Sequence, residues 1–208
     1  MGCFVPFAVD TPKTRLGSVC SPAERQSFAT AMLIDVLETL DAAGVTPTVL
    51  STASVDDDRV TARAAVTVDD RDLTTAVNAR LADGEPTLVV MADLPLITPA
   101  DVQRLLDSEA GVTIAPGLGG GSNALVVREP EFRVDYHGAS YLDHRRAATE
   151  LGTTVDTVDS RRLATDIDEP ADLAEVLIHG TGTARDWLVE AGFELDTGAG
   201  RVGVRRME

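Results

Sequence analysis

Short runs of β-branched and apolar residues alternate with helix-like stretches along most of this chain, and few folds accommodate that alternation. Strand, helix and strand in repetition form a largely parallel sheet whose faces are covered by helices. Residues 3–7 read as a first buried strand. Ser21-Pro22-Ala23-Glu24 is a capping box with proline at the first helical position. It opens a helix in which Phe28, Met32, Val36 and Leu40 recur every four residues, and Gly44 ends it. Residues 48–50 and 65–68 are further strands, and 73–81 is a helix. Residues 87–91 are almost wholly apolar, as a strand at the centre of a parallel sheet should be. Thr98-Pro99-Ala100-Asp101 caps a helix ending near Glu109, and 112–115 is a strand.

After Pro116 the character changes. Gly117-Leu118-Gly119-Gly120-Gly121-Ser122 is a loop that exposes its backbone, followed by a strand at 124–127. Residues 141–151 are helical, 154–158 a strand, and 171–179 a short helix introduced by Asp168-Glu169-Pro170. Residues 192–206 hold two β-like runs around Asp196-Thr197-Gly198, the pattern of a hairpin. No linker, repeat or low-complexity segment divides the 208 residues. The expectation is one domain over 1–208, with a C-terminal extension from about residue 180.

Charge excludes some partners. The formal net charge is −16 and the pI near 4.4, so nucleic acid and anionic membranes would be repelled. Disorder is excluded by 44% hydrophobic residues with clear periodicity. An acidic, lysine-poor, alanine- and valine-rich chain has the look of a haloarchaeal protein. In molar salt the Debye length falls to about 3 Å, which screens such a surface from itself. No run approaches the roughly 18 apolar residues of a membrane span, and no signal peptide is visible, so a cytoplasmic setting is expected. Cys3 and Cys20 lack the pattern of a zinc site or disulfide framework and are expected as buried thiols.

The chain has one lysine, Lys13, in the loop after the first strand. A compact ammonium suits phosphate binding as a point charge, and a solvated surface lysine is the competing reading. Parallel α/β sheets bind ligands at the carboxyl ends of their strands. Besides the Lys13/Arg15 loop, three elements fall there: Met91-Ala92-Asp93-Leu94-Pro95-Leu96, the glycine run before Asn123, and Thr165-Asp166-Ile167-Asp168-Glu169-Pro170. Asp93 at a strand end can serve a magnesium ion or cap a turn. Asp166 and Asp168 point the same way in an extended segment, and a shared bivalent cation would relieve their repulsion. Capping the Pro170 helix is the alternative role for Asp168. The glycine run matches no phosphate-loop spacing, yet its backbone N–H groups with Ser122 and Asn123 could cradle an anion. His137 and His144 have no partner motif and receive no catalytic role.

Taken in order, Val5-Pro6-Phe7, Lys13-Thr14-Arg15-Leu16, Met91-Ala92-Asp93-Leu94-Pro95-Leu96, Gly120-Gly121-Ser122-Asn123-Ala124-Leu125, Tyr136-His137-Gly138-Ala139-Ser140 and Asp166-Ile167-Asp168-Glu169-Pro170 form a specific set. The set resembles the CofC family, the 2-phospho-L-lactate guanylyltransferases of coenzyme F420 biosynthesis, over about residues 3–180. That family lies within the molybdenum-cofactor-guanylyltransferase-like nucleotidyltransferases. The resemblance implies a Rossmann-like three-layer α/β/α sandwich with a mostly parallel sheet, like that of nucleotide-diphospho-sugar transferases. It implies that Lys13 and Arg15 bind the phosphates of GTP, and that Asp93, Asp166 and Asp168 ligate Mg2+. Ser122, Gly138 and Ser140 would hold the phosphorylated three-carbon acid. A homodimer is compatible with it. The family commonly has Gly-Leu-Asn where this chain has Asp72-Leu73-Thr74, so no guanine-reading residue is assigned.

Two rival readings remain at this point. One is another nucleotidyltransferase acting on phosphoenolpyruvate, a sugar 1-phosphate or molybdopterin; the last usually has a Gly-Gly loop that Val5-Pro6-Phe7-Ala8-Val9 lacks. The other is a nucleotide-binding regulator without catalysis, which the joint presence of Lys13, Asp93, Asp166 and Asp168 argues against.

Overall fold

The computed structural model describes residues 1–10, 12–198, 200 and 202–207. Thr11, beside the Lys13 string, and Ala199 and Arg201, in the expected C-terminal hairpin, lie outside the described residues. In chain order the elements are β1 (Gly2–Phe7), α1 (Pro22–Ala42), β2 (Thr48–Ser51), α2 (Asp58–Thr61), β3 (Ala65–Val68), α3 (Leu73–Leu81), β4 (Thr87–Val90) and α4 (Pro99–Asp107). There follow β5 (Val112–Pro116), β6 (Ser122–Val127), α5 (Ser140–Glu150), β7 (Val155–Thr157), α6 (Arg161–Ala164), α7 (Leu173–His179), α8 (Thr183–Glu190), β8 (Phe193–Asp196) and β9 (Gly203–Arg206).

Seven strands form one sheet in the order β3-β2-β1-β4-β6-β5-β7. All neighbours are parallel except β6, which runs antiparallel to both β4 and β5. The mostly parallel sheet read from the sequence is therefore present, with one reversed strand. The reversal follows from the glycine run: Gly117 N–H donates to Gly121 O at 2.8 Å, and Gly120 sits at φ 85°. The chain turns straight back there rather than crossing over through a helix.

The strands alternate their side chains between two apolar layers. Leu88, Val90, Ala124 and Val126 face α1, α7 and α8, packing with Phe28, Met32, Leu40, Leu173 and Leu188. Val89, Leu125, Val127 and Ile114 face the other side, against Val77 and Leu81 of α3, Ala148 of α5 and Phe132. This is a three-layer sandwich. The α1 capping box is present: Ser21 Oγ accepts from Glu24 N–H at 3.3 Å, and Glu24 Oε2 accepts from Ser21 N–H at 2.8 Å. Gly44, at φ 77°, follows the helix end.

Helices α2, α6 and α8 are not legible as helices in the sequence. The C-terminal segment packs on the main body. Trp187 of α8 lies 5.1 Å from the Phe28 ring of α1 and stacks on Phe193 of β8 at 6.5 Å. The expected hairpin is present as antiparallel β8 and β9. No helix among the described residues is long and apolar enough to cross a membrane.

Candidate active site

Strands β1 and β4 lie side by side, and the chain departs from them in different directions, so a crevice opens beyond their carboxyl ends. A cavity of about 450 Å³ fills it. Lys13, Asp93 and Asp168 line one end, and Asp69, Arg71 and Asp72 the other. Between them Leu50, Leu73, Val77 and Met91 supply apolar wall.

Lys13 precedes a short 3₁₀ turn at Thr14–Ser18 and has φ 53° and ψ 45°. Among the described residues it is the one non-glycine with positive φ. A left-handed backbone at a side-chain-bearing residue costs on the order of 1–2 kcal/mol and persists only when its surroundings impose it. Here they do. The ammonium donates to Asp93 Oδ2 and to Asp168 Oδ1, both at 2.6 Å, and its side chain is only 10% exposed. The solvated-loop reading of Lys13 is thereby excluded. Burial pulls the ammonium's pKa down, but the Asp93 and Asp168 carboxylates outweigh it, and the net shift is upward. Arg15 reaches the same cluster from outside, with Nη1 3.6 Å from Asp168 Oδ2 and a largely exposed side chain.

The aspartates divide their tasks. Asp93 does not act as a side-chain cap: Oδ2 takes the lysine, and Oδ1 is buried without a partner among the described residues. Its backbone oxygen accepts from Ile167 N–H at 3.1 Å, which draws the 166–168 segment to the β4 end. The capping alternative for Asp168 is also overturned. Asp172 Oδ2 accepts from the N–H groups of Asp168 and Glu169, at 3.0 and 2.8 Å, which leaves the Asp168 carboxylate free to bind Lys13. Asp166 is held on the other side by Asn123 Nδ2 at 3.1 Å. Burial raises its pKa, Asn123 opposes that, and the neighbouring Asp93 and Asp168 charges raise it further.

Asp93 and Asp168 thus meet at Lys13, with Asp166 beside them. Among the described residues no three His, Cys, Asp or Glu side chains close around one point as a ready-made metal cage. The donor chemistry still suits a hard cation. Three carboxylates lie near one another, and one buried oxygen lacks a partner among the described residues. Magnesium is commonly bound through one or two carboxylates, with substrate phosphates completing its shell.

Asn123, which the sequence suggests as part of an anion cradle, instead anchors the site. Its amide also donates to Leu163 O at 2.9 Å. Gly117 is required there, because a Cβ at that position would lie 2.5 Å from Asn123 Oδ1. Next door, Ser122 N–H donates to Ser140 Oγ at 3.0 Å, tying the glycine turn to the start of α5. Gly138, at φ 53°, is open where a side chain would stand: a Cβ there would meet no atom within 4 Å. Ser122 and Ser140 therefore lie together, one residue along from the Asn123 that anchors Asp166, and Gly138 stands two residues before Ser140 in sequence. The Asp72-Leu73-Thr74 departure has structural roles: Asp72 Oδ1 caps α3 through Thr75 N–H at 2.9 Å, and Thr74 Oγ1 accepts from Tyr136 N–H at 3.0 Å.

At the far end of the cavity Arg71 grips Asp69 through two bonds, Nη2 to Oδ2 at 2.5 Å and Nε to Oδ1 at 2.7 Å. Arg71 holds the Asp69 pKa down at about 2. The sequence carries no signal for this pair, because both residues sit in a run of charges that reads as a solvated surface.

Residues 1–207 match the family described as guanylyl transferase CofC like. The chain is 58% identical over 207 residues to the 2-phospho-L-lactate guanylyltransferase of Haloarcula marismortui, covering 97% of each chain. It is 44% identical over 204 residues to that of Methanocorpusculum labreanum, covering 97% of this chain and 94% of the relative. Among solved structures, a candidate nucleotide-diphospho-sugar transferase from Desulfovibrio desulfuricans superimposes with a TM-score of 0.70 at 16% identity, covering 91% of this chain and 95% of the other. A Methanothermobacter nucleotidyl transferase gives a TM-score of 0.63 at 13% identity, with 86% and 96% covered. These two likenesses are likenesses of fold.

Proposed function

The chain belongs to the CofC-like guanylyl transferase family, and we propose that it joins the GMP moiety of GTP to 2-phospho-L-lactate. The products are lactyl-2-diphospho-5′-guanosine and pyrophosphate, in coenzyme F420 biosynthesis. The observation that carries this reading is the match to relatives of that activity along almost the whole chain. A cytoplasmic enzyme adapted to salt fits both the −16 charge and those relatives' haloarchaeal members.

The chemistry asks for positioning and charge neutralisation. The acceptor is a phosphate monoester, largely dianionic at neutral pH. Its oxygen forms a bond to the α-phosphorus of GTP while the bond from that phosphorus to the bridging β-oxygen breaks, and pyrophosphate leaves. The nucleophile arrives already deprotonated and needs no general base. Lys13, lining one end of the cavity, is placed to neutralise phosphate charge as it builds, and the exposed Arg15 to screen it from outside. Ser122, Ser140 and the open backbone at Gly138 are the donors for the three-carbon acid. In the far half of the cavity, Leu73 and Val77 offer apolar contact to a purine. The Asp69–Arg71 pair offers the acceptor and donors that a guanine edge requires.

Magnesium is part of the proposal. Asp93, whose Oδ1 has no partner among the described residues, together with Asp166 and Asp168 would hold it, and the ion would add positive charge at the phosphates. The test is pyrophosphate release from GTP with 2-phospho-L-lactate or phosphoenolpyruvate, with and without magnesium. Release that requires both GTP and 2-phospho-L-lactate is expected. Equal release from ATP or CTP would overturn the nucleotide assignment, and a preference for phosphoenolpyruvate would overturn the acceptor.

A further inference from the structure

His144 lies on α5 with its ring buried, 1% exposed. Two contacts fix its chemistry. Nε2 is 2.9 Å from the backbone nitrogen of Asp135, and Nδ1 is 2.9 Å from Ser122 Oγ. A backbone N–H can only donate, so Nε2 accepts and carries no proton. Burial lowers the His144 pKa to about 4, against the smaller opposing effect of the Asp135 and Asp143 charges, so the ring is neutral near pH 7. Its single proton is therefore on Nδ1, and Nδ1–H donates to Ser122 Oγ. The ring cannot easily turn away. Tyr136 meets it edge-on at 5.1 Å and 88°, and Phe132 packs at 6.0 Å.

The consequence falls on two hydroxyls. Ser122 Oγ accepts from His144, and Ser140 Oγ accepts from Ser122 N–H at 3.0 Å. Neither hydroxyl has a further hydrogen bond among the described residues, so each keeps one O–H to give to a ligand. Both serines are buried, 3% exposed, and the residues just before Ser122, Gly120 and Gly121, bring no side chain against them. A Cβ at Gly121 would already come within 4.0 Å of Ser140 Oγ. Each oxygen accepts one bond from inside the protein and keeps its O–H to give, so the pair can donate to an anionic oxygen.

We infer that His144 is a positioning residue: by donating from Nδ1 it fixes the Ser122 hydroxyl as an outward donor to a carboxylate or phosphate oxygen of the acceptor. This rests on the reading of Ser122 and Ser140 as the acceptor's site. It assigns a task to a buried titratable group that the transfer chemistry leaves unused.

The test pairs a spectroscopic readout of the native protein with three variants. In ¹⁵N-labelled protein the His144 ring should show a protonated Nδ1 and a bare Nε2. The opposite tautomer would overturn the inference directly. His144→Asn places an amide N–H near the position of Nδ1 and keeps the bond to Ser122. His144→Gln places an acceptor for Asp135 N–H and loses that bond. His144→Gln should raise KM for 2-phospho-L-lactate about 10- to 100-fold, the usual weight of a hydrogen bond to a charged group. KM for GTP should stay unchanged, and His144→Asn should restore most of the loss. Equal acceptor KM values for His144→Gln and the native enzyme, alongside a raised value for Ser122→Ala, would sink the role of His144 alone. An unchanged acceptor KM in Ser122→Ala would sink the acceptor-site reading and the inference with it.

Discussion

The Lys13 ammonium lies 2.6 Å from Asp93 Oδ2, joining residues 80 positions apart at the adjacent ends of β1 and β4. The carboxylates that would serve a metal ion are thus already occupied, in part, by the protein's own cation. A metal ion held there would compete with the lysine for the same oxygens, and a bound phosphate would draw the lysine toward the ligand. Nucleotide binding and metal binding should therefore be coupled.

Lys13→Ala should lower kcat by about 10² to 10³, the usual effect of removing one electrostatic donor from a transition state. It should also lower Tm without added cation, because Asp93 and Asp168 lose their shared partner. Magnesium should return more stability to the variant than to the native protein. Lys13→Arg should rescue little, since a planar fork does not replace a point charge between two carboxylates. Thermal melts with and without magnesium, beside pyrophosphate release, check both halves. Normal turnover by Lys13→Ala would remove the residue from the reaction.

Gly117→Ala tests the Asn123 anchor from a distance. The added Cβ would sit 2.5 Å from Asn123 Oδ1, so the amide must move and release Asp166 and Leu163 O. Overpacking of this kind costs about 1–3 kcal/mol. Activity should fall with it, although residue 117 touches no substrate. Gly119→Ala, where a Cβ meets nothing within 4 Å, is the control and should be nearly silent.

The sheet, most of its helices and the Lys13, Asp93, Asp166 and Asp168 set are legible because each has a local signal. Phe28, Met32, Val36 and Leu40 mark a helix by spacing, and one lysine among arginines marks itself. The antiparallel β6 is not legible, since a glycine run signals a turn and not the direction of the next strand. Helix α8 is hidden because its first turn is capped from α1, by Asp35, 148 residues earlier in sequence. His144 carries no local signal because both its partners, Ser122 and the Asp135 backbone, come together only through the fold. The tasks of Asn123 and Asp69 are hidden for the same reason: they are defined by what lies across the cavity.

Acid should weaken the protein through His144. Its folded pKa, about 4, lies below the ordinary value near 6.5, so the unfolded chain binds the proton more tightly. The stability this neutral ring contributes is complete above pH 6.5 and is lost as pH falls toward 4. The full span is on the order of 3 kcal/mol. His144→Asn, which cannot titrate, should lose less Tm than the native protein between about pH 7 and 4.5. Parallel melting curves for the two proteins over that range would remove His144 as a source of acid sensitivity.

Asp35 should hold the C-terminal segment on the body. It is buried on α1, and its two oxygens accept from Thr183 N–H at 2.6 Å and Ala184 N–H at 2.9 Å, capping α8. Gly182 makes the approach possible, because a Cβ there would collide with Asp35 Oδ1. Burial raises the Asp35 pKa and the two backbone donors oppose it, so the buried charge depends on those donors. Asp35→Ala should cost about 1–2 kcal/mol, the upper range for a lost cap. The loss should show first where α8 meets α1. Trp187 is the chain's one tryptophan and packs on Phe28 of α1 and Phe193 of β8, so its fluorescence reports how the C-terminal segment sits on the body. In Asp35→Ala the tryptophan signal should change at lower denaturant than far-ultraviolet circular dichroism, which follows the whole sheet and helices. Coincident transitions would mean that α8 unfolds only with the rest, and that the Asp35 cap tightens a segment already inseparable from the core.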